Sequence, residues 1–239
     1  MITPDWQPHV EDLHRKVKLY RKRGDALQEA GQEEEAAKNY RNILEIVEEI
    51  IAILAPLQAQ AATGLAEPQP PIKEEEKWVG ELIEAYGLSG GMYRRLGKLE
   101  DSLKAYQEGA KLEKIYGSPS TYNRVNAVKL ALLSGATSLA SLRPAIDALE
   151  SFLTQQLTEA QHLSDSAWSW ADLGDCRALQ GDVPGAERAY RTFVEKAGSQ
   201  APKTTLAMLR EMDRALQRVG DPNEAAVAQV LAALETRLA

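Results

Sequence analysis

The sequence predicts an all-α protein, an α-solenoid of antiparallel helix pairs with about nine or ten helices. Composition is the first reason. Ala, Leu, Glu, Gln, Lys and Arg abound while aromatic residues make up only 6% of the chain, a balance that favours helices over sheets. The second is a register that recurs: Gly24, Gly31, Ala36 and Tyr40 keep the same intervals as Gly90, Gly97, Ser102 and Tyr106, and as Gly174, Gly181, Ala186 and Tyr190. An aromatic residue stands one turn before the first glycine of each copy, as Tyr20, Tyr86 and Trp170. Where two helices cross closely, a small residue on each lets the backbones approach, and large residues fill the space on either side. The second glycine of each copy can close the first helix in the left-handed conformation that other residues resist.

Taken in order, Pro4 and Pro8 punctuate a lead-in, and Leu13, Val17, Tyr20, Gly24 and Leu27 then follow one face of a first helix that Gly31 ends. A second helix, from about Gln32, places Ala36, Tyr40, Ile43, Val47, Ile50 and Leu54 on one side and is expected to stop at Pro56. Residues 58–77, with Pro68, Pro70, Pro71 and the run Glu74 to Glu76, read as a loop excursion. Because the register resumes directly afterwards, residues 1–239 are expected to form one continuous solenoid. Helix signals return at Trp78, Leu82, Ile83 and Tyr86 and pass through Gly90 and Gly91, each costing about 1 kcal/mol relative to Ala within a helix, so close packing is expected there.

The clear repeats are thus about 17–55, 78–116 and 165–197. Between the last two lie inserted helices over 118–160. One is opened by Ser118 or Ser120, with Pro119 in its first turn, and closed by Gly135; the other runs from about Leu142 to Leu157. Ser164 or Asp165 is the expected N-cap of the third clear repeat. A last pair over 203–239, divided by Gly220, Asp221 and Pro222, would cap the open end of the stack.

Charge and composition exclude several function classes. A net charge of −7 gives no broad attraction to nucleic acid or to anionic membrane surfaces. A single cysteine, Cys176, rules out an internal disulfide framework and a cysteine-based zinc cluster, and its helical position reads as a packed thiol. The first residues, MITPDWQPHVEDLHRK, lack the basic start and apolar run of a signal peptide, so a cytoplasmic protein is expected. The most apolar stretch, Ile43 to Leu57, carries Glu45, Glu48 and Glu49 and is shorter than the roughly 20 residues that cross a bilayer.

No catalytic set assembles along the chain, and neither a cofactor nor a metal is expected. Gly87-Leu88-Ser89-Gly90-Gly91 has the spacing of a nucleophile elbow, but that elbow needs a strand before its serine, and here a helical stripe precedes it. The run from Gly91 to Leu99 has the wrong glycine interval for a phosphate loop and no Ser or Thr after Lys98. His9, His14 and His162 form no close helical metal pair and read as exposed or locally bonded.

The candidate partner-binding residues are polar or aromatic groups beyond what helix packing requires. Arg94 and Arg95, late on the first helix of the second repeat, could anchor an acidic segment or simply meet solvent and neighbouring acids. Asn123 and Asn126 share one helix side beside Tyr122, and their amides could bond a loop backbone or an extended peptide. Lys18 and Arg21 belong to a basic patch on the first helix. Trp168 lies well around its helix from Trp170 and could present an aromatic anchor or pack in the core.

Trp170, Leu173 and Gly174, followed by Ala186 and Tyr190, reproduce the W-x2-L-G and A-x3-aromatic spacing of tetratricopeptide (TPR) helix pairs, and the chain resembles that family over most of its length. The segment YGLSGGMYRRLGKLEDSLKAYQEG, followed by STYNRVNAV, resembles more narrowly the TRAFs-binding, TPR-like regulatory region of apoptosis-signal-regulating kinases and its stand-alone bacterial relatives, over about residues 78–135. The resemblance implies a non-enzymatic scaffold, adaptor or regulatory subunit that binds a protein or peptide in a concave groove, within a signalling, stress-response or defence system. No kinase motif accompanies it, so the module would act in trans. The alternative function is a sensor holding a small anionic signal molecule through Arg94 and Arg95. The chaperone carboxylate clamp of other TPR proteins is not expected, because Arg21 and Asp25 stand where that clamp has Lys and Asn.

Overall fold

A computed structural model describes residues 6–62, 73–159, 166–197 and 201–238. All regular structure among them is α-helical: α1 (Gln7–Glu29), α2 (Glu33–Ala62), α3 (Lys73–Arg95), α4 (Leu99–Ile115), α5 (Tyr122–Leu133), α6 (Leu139–Glu159), α7 (Ala167–Gln180), α8 (Val183–Lys196), α9 (Ala201–Val219) and α10 (Glu224–Leu238). The chain forms two compact units, divided between Asn123 and Arg124 near the start of α5. In the first, α1 packs on α2, α2 on α3 and α3 on α4 around Leu13, Tyr40, Ile43, Ile50, Leu82 and Met92. In the second, α6 packs on α7, α7 on α8, and α10 on α7, α8 and α9, around Ile146, Leu153, Tyr190, Phe193, Leu209 and Val227.

The three-fold register is a repeated contact between the two helices of a pair. A Cβ added at Gly24 would lie 2.7 Å from the Tyr40 ring, one at Gly90 2.7 Å from Tyr106, and one at Gly174 2.8 Å from Tyr190. Hydrogen at each first glycine is therefore what lets the tyrosine lie flat on the partner helix. Ala36, Ser102 and Ala186 are buried one turn before those tyrosines. Ser102 adds a bond to this close approach, its hydroxyl donating to the Gly90 carbonyl at 2.7 Å. Gly31, Gly97 and Gly181 end α1, α3 and α7 with φ of 74°, 72° and 83°. Gly91 is different: a Cβ there would come no nearer than 3.6 Å to another group, so packing demands Gly90 but not its neighbour.

Helix boundaries correct several expectations. Helix α2 does not stop at Pro56 but carries it inside and runs to Ala62. Pro56 is exposed, and the Leu57-Gln58-Ala59-Gln60-Ala61-Ala62 segment after it consists of strong helix formers, which offset the loss of one backbone bond. Helix α3 starts at Lys73 and takes in the acidic run Glu74 to Glu76. The expected loop over 58–77 is thus helical at both ends, and Pro68, Pro70 and Pro71 lie outside the described residues, as do Ser164, Asp165 and His162. Helix α5 begins only at Tyr122, leaving Pro119 outside it. Ser118 and Ser120 turn their hydroxyls on the backbone N–H groups of Ser120 (3.2 Å) and Tyr122 (3.3 Å), building two successive turns in place of a first helical turn.

Candidate functional site

The first helices of the first two repeats, α1 and α3, border an open groove of about 520 Å³. Their helical period decides what faces it. His14, Val17, Lys18 and Arg21 recur at three- and four-residue steps on α1, as do Glu81, Glu84 and Leu88 on α3. His14 fixes one level of the groove, its Nε2 lying 2.6 Å from Glu81 Oε2. That hydrogen bond holds the His14 pKa above its ordinary 6.5, against the opposing effect of burial. Glu84, three residues on from Glu81, turns to the same level and makes no hydrogen bond or ion pair among the described residues.

One turn further along α1 the character changes. Lys18 is exposed and has no hydrogen-bond or ion-pair partner among the described residues. Arg21 follows, held only loosely by Asp25 at 3.9 Å, and half-buried Leu88 supplies apolar surface in the same groove, whose lining also includes the buried Val17. Arg15 also borders the groove but is paired with Asp12 at 3.0 Å.

Arg94, Arg95, Tyr122 and Asn123, the other first-unit residues the sequence singles out, do not line this groove. Arg95 points its Nε at Asp25 Oδ1, 3.4 Å away, and its guanidinium lies 5.6 Å from the Tyr40 ring centre. The Tyr40 hydroxyl is in donating distance of Gln28 Oε1 (2.7 Å) and Asp25 Oδ1 (3.0 Å), and burial together with the Asp25 charge pushes its pKa up to about 12. Asp25, at the position where a carboxylate clamp would carry Asn, is therefore taken up by its own helix pair. Arg94 is half-buried one residue before Arg95.

Asn123 takes the structural side of its two readings. It is 1% exposed; its amide donates to the Ile83 carbonyl (3.1 Å) and to Glu113 Oε1 (3.0 Å), and its backbone N–H also reaches Glu113 Oε1 (2.9 Å). Asn126 is buried as well. Tyr122 remains 47% exposed while its ring meets Tyr106 edge-on at 5.8 Å and the two hydroxyls stand 3.4 Å apart. The signal that could have identified this seating was a second pair of glycines: a Cβ at Gly109 would fall 2.5 Å from Asn123, and one at Gly87 3.0 Å from Tyr122. In the second unit Trp168 is 52% exposed, its ring 5.6 Å from that of Phe193.

Sequence reasoning missed a buried charge cluster in that unit. Lys129 of α5 bonds Asp175 of α7, and the Tyr190 hydroxyl of α8 donates to the other oxygen of the same carboxylate. Burial would lower the Lys129 pKa, but the Asp175 and Asp172 carboxylates outweigh it, so the ammonium stays charged. Lys129 sits in a helix whose apolar residues lack a clean face, which hid it. Beside this cluster Cys176 is buried, and burial pushes its thiol well above the ordinary range, as an unreactive packed cysteine requires. Ser89 is buried inside α3, in a helix and not on the strand-to-helix turn of a nucleophile elbow. No helix among the described residues is long and apolar enough to cross a membrane.

No protein-family model matches the chain, and no curated protein matches it. Similar solved structures are TPR-like repeat proteins. A Podosopora anserina structure described as kinesin light chain nearly identical TPR-like repeats is 15% identical, with 96% of this chain and 97% of that one covered and a TM-score of 0.42. BtubC (BKLC) from P. vanneervenii is 14% identical over 98% and 92%, with a TM-score of 0.40. The TPR2AB domain of yeast Sti1, in complex with pHSP90, is 14% identical over 92% and 98%, with a TM-score of 0.21. The TPR-like character of the helix pairs rests on the glycine–tyrosine contacts within the chain itself.

Proposed function

We propose that this chain is a non-enzymatic protein-interaction module, an adaptor or regulatory subunit, that seats an acidic, extended segment of a partner protein along the Lys18 and Arg21 end of the α1–α3 groove. The observation that carries this reading is Lys18: an exposed ammonium without a partner among the described residues, in a concave surface, beside Arg21 and the half-buried Leu88. Cations of this kind attract carboxylates and set their register, while the exposed part of Leu88 gains from burial. Tyr122 and Trp168, exposed aromatics, are candidate anchors for other stretches of a partner. The anion-sensor alternative has less support, because the Arg95 guanidinium already faces Asp25 and Tyr40. A signalling role rests on the resemblance of residues 78–135 alone, and several of its motif residues, Gly87, Gly90, Tyr122 and Asn123, are taken up in packing among α3, α4 and the start of α5.

Affinity capture of the native partner tests this. The Lys18→Glu, Arg21→Glu double variant should weaken partner binding at least tenfold, about 1.4 kcal/mol, with an unchanged melting temperature, because both side chains are exposed. Arg95→Glu and Asn126→Ala, compared at matched folding, should weaken it less. Full recovery of the partner by the folded double variant would remove the groove from consideration.

A further inference from the structure

We propose that the His14 level of the same groove is a binding site for a divalent transition-metal ion of the zinc type, with His14 from α1 and Glu81 and Glu84 from α3 as its protein ligands. A ring nitrogen of His14 and one carboxylate oxygen of each glutamate lie within 4.8 Å of one another. Zinc bonds of about 2.0–2.2 Å place the ligand atoms of a tetrahedral ion roughly 3.4 Å apart, so His14 and Glu81, now 2.6 Å apart, would open by roughly 0.8 Å and the widest pair would close by no more than roughly 1.4 Å. Imidazole and carboxylate ligands suit zinc among the first-row ions, and two carboxylates neutralise its charge.

The architecture supports the assignment beyond proximity. Glu81 and Glu84 stand three residues apart, on one side of α3, and His14 faces them from a different helix, so an ion there would tie the first helices of two repeats together. The 2.6 Å bond between His14 and Glu81 accounts for those two side chains alone. Glu84, exposed, is brought to the same point, where its charge acts on His14 while it makes no hydrogen bond or ion pair among the described residues. Three protein ligands also leave a fourth position open toward the groove, for water or for a carboxylate.

This site goes beyond the docking reading and stands without it. The test uses the full chain with any affinity tag removed, stripped by a chelator and titrated with zinc chloride by calorimetry and with cobalt chloride by visible absorption. One ion per chain is expected, with cobalt giving the intense bands of a low-coordinate site. Glu84→Gln and His14→Ala should each weaken binding at least tenfold, while His9→Ala, which removes an exposed histidine paired with Glu49, should leave it unchanged. Should His14→Ala fail to fold, Glu84→Gln decides alone, since it leaves the His14–Glu81 bond in place. Absence of saturable binding, or equal binding by wild type and Glu84→Gln, would overturn the proposal and reduce the cluster to a histidine–glutamate pair. Partner capture with the Lys18 and Arg21 variants is unaffected by that outcome.

Discussion

The same three-residue constellation is built twice, once in each unit, in opposite surroundings. Asp25 and Asp175 each follow the first glycine of a repeat, Tyr40 and Tyr190 each cross over that glycine, and a cation from another helix completes the set, Arg95 in one and Lys129 in the other. In the first unit the Asp25 and Arg95 side chains are 41% and 29% exposed. In the second, Asp175 and Lys129 are 4% and 8% exposed. Register therefore sets which groups meet, and burial sets what the meeting is worth. The middle repeat shows the rule by departing from it: Gly91 stands where the aspartate would be, and Tyr106 turns its hydroxyl to Tyr122.

Removing one partner of the buried set should break the second unit. Lys129→Met leaves the Asp175 carboxylate without its counter-ion in a site water does not reach, a change that typically costs about 3–5 kcal/mol. Urea denaturation of Lys129→Met against wild type measures this. Adding Asp175→Asn, which removes the stranded charge but keeps an acceptor for Tyr190, should return part of the loss. A cost for Lys129→Met no greater than that of Arg95→Met would erase the distinction between the two regions.

A glycine comparison sharpens the role of register. Gly174→Ala would drive a methyl group into the Tyr190 ring and should destabilise by about 1–3 kcal/mol, the usual range for overpacking. Gly91→Ala meets only ordinary contacts at 3.6 Å and beyond, and within a helix it should stabilise by about 0.5–1 kcal/mol. Thermal unfolding of the two variants should therefore shift in opposite directions. A stabilised Gly174→Ala would mean that the tyrosine does not need its glycine.

The helix pairs were legible because glycine and tyrosine at fixed intervals report a contact between neighbouring helices, and that contact is local in sequence. Helix ends were less so: Pro56 marks a stop by its own chemistry, yet the helix formers that follow it carry α2 onward to Ala62. Of the candidate site, Lys18 and Arg21 are legible in the sequence only as members of a basic patch on the first helix. Asn123 was left open, because whether its amide meets a backbone or a peptide depends on Glu113 and Ile83, ten and forty residues away. His14 gave no metal signal along the chain since its companions Glu81 and Glu84 come from another helix, 67 and more residues on. Lys129 was invisible for the same reason: its partner lies 46 residues away, and a lone lysine in an irregular helix reads as surface.

Salt offers the finest separation of the two constellations. An exposed pair such as Asp25 and Arg95 gains little Coulomb energy in a medium close to water, and mobile ions screen what it gains, so its coupling is expected at or below about 1 kcal/mol. Screening acts through ions that can approach, over a Debye length of about 10 Å at 0.1 M that shortens to about 3 Å at 1 M. The buried Lys129–Asp175 pair excludes those ions along with water. Double-mutant cycles measured by urea denaturation at low and high sodium chloride should then diverge. The Asp25→Asn, Arg95→Met coupling should fall toward zero as salt rises. The Asp175→Asn, Lys129→Met coupling should hold nearly constant and remain the larger throughout. Equal salt sensitivity in both cycles would show that solvent reaches Lys129 after all, and that the two constellations differ only in the residue and helix that supply the cation.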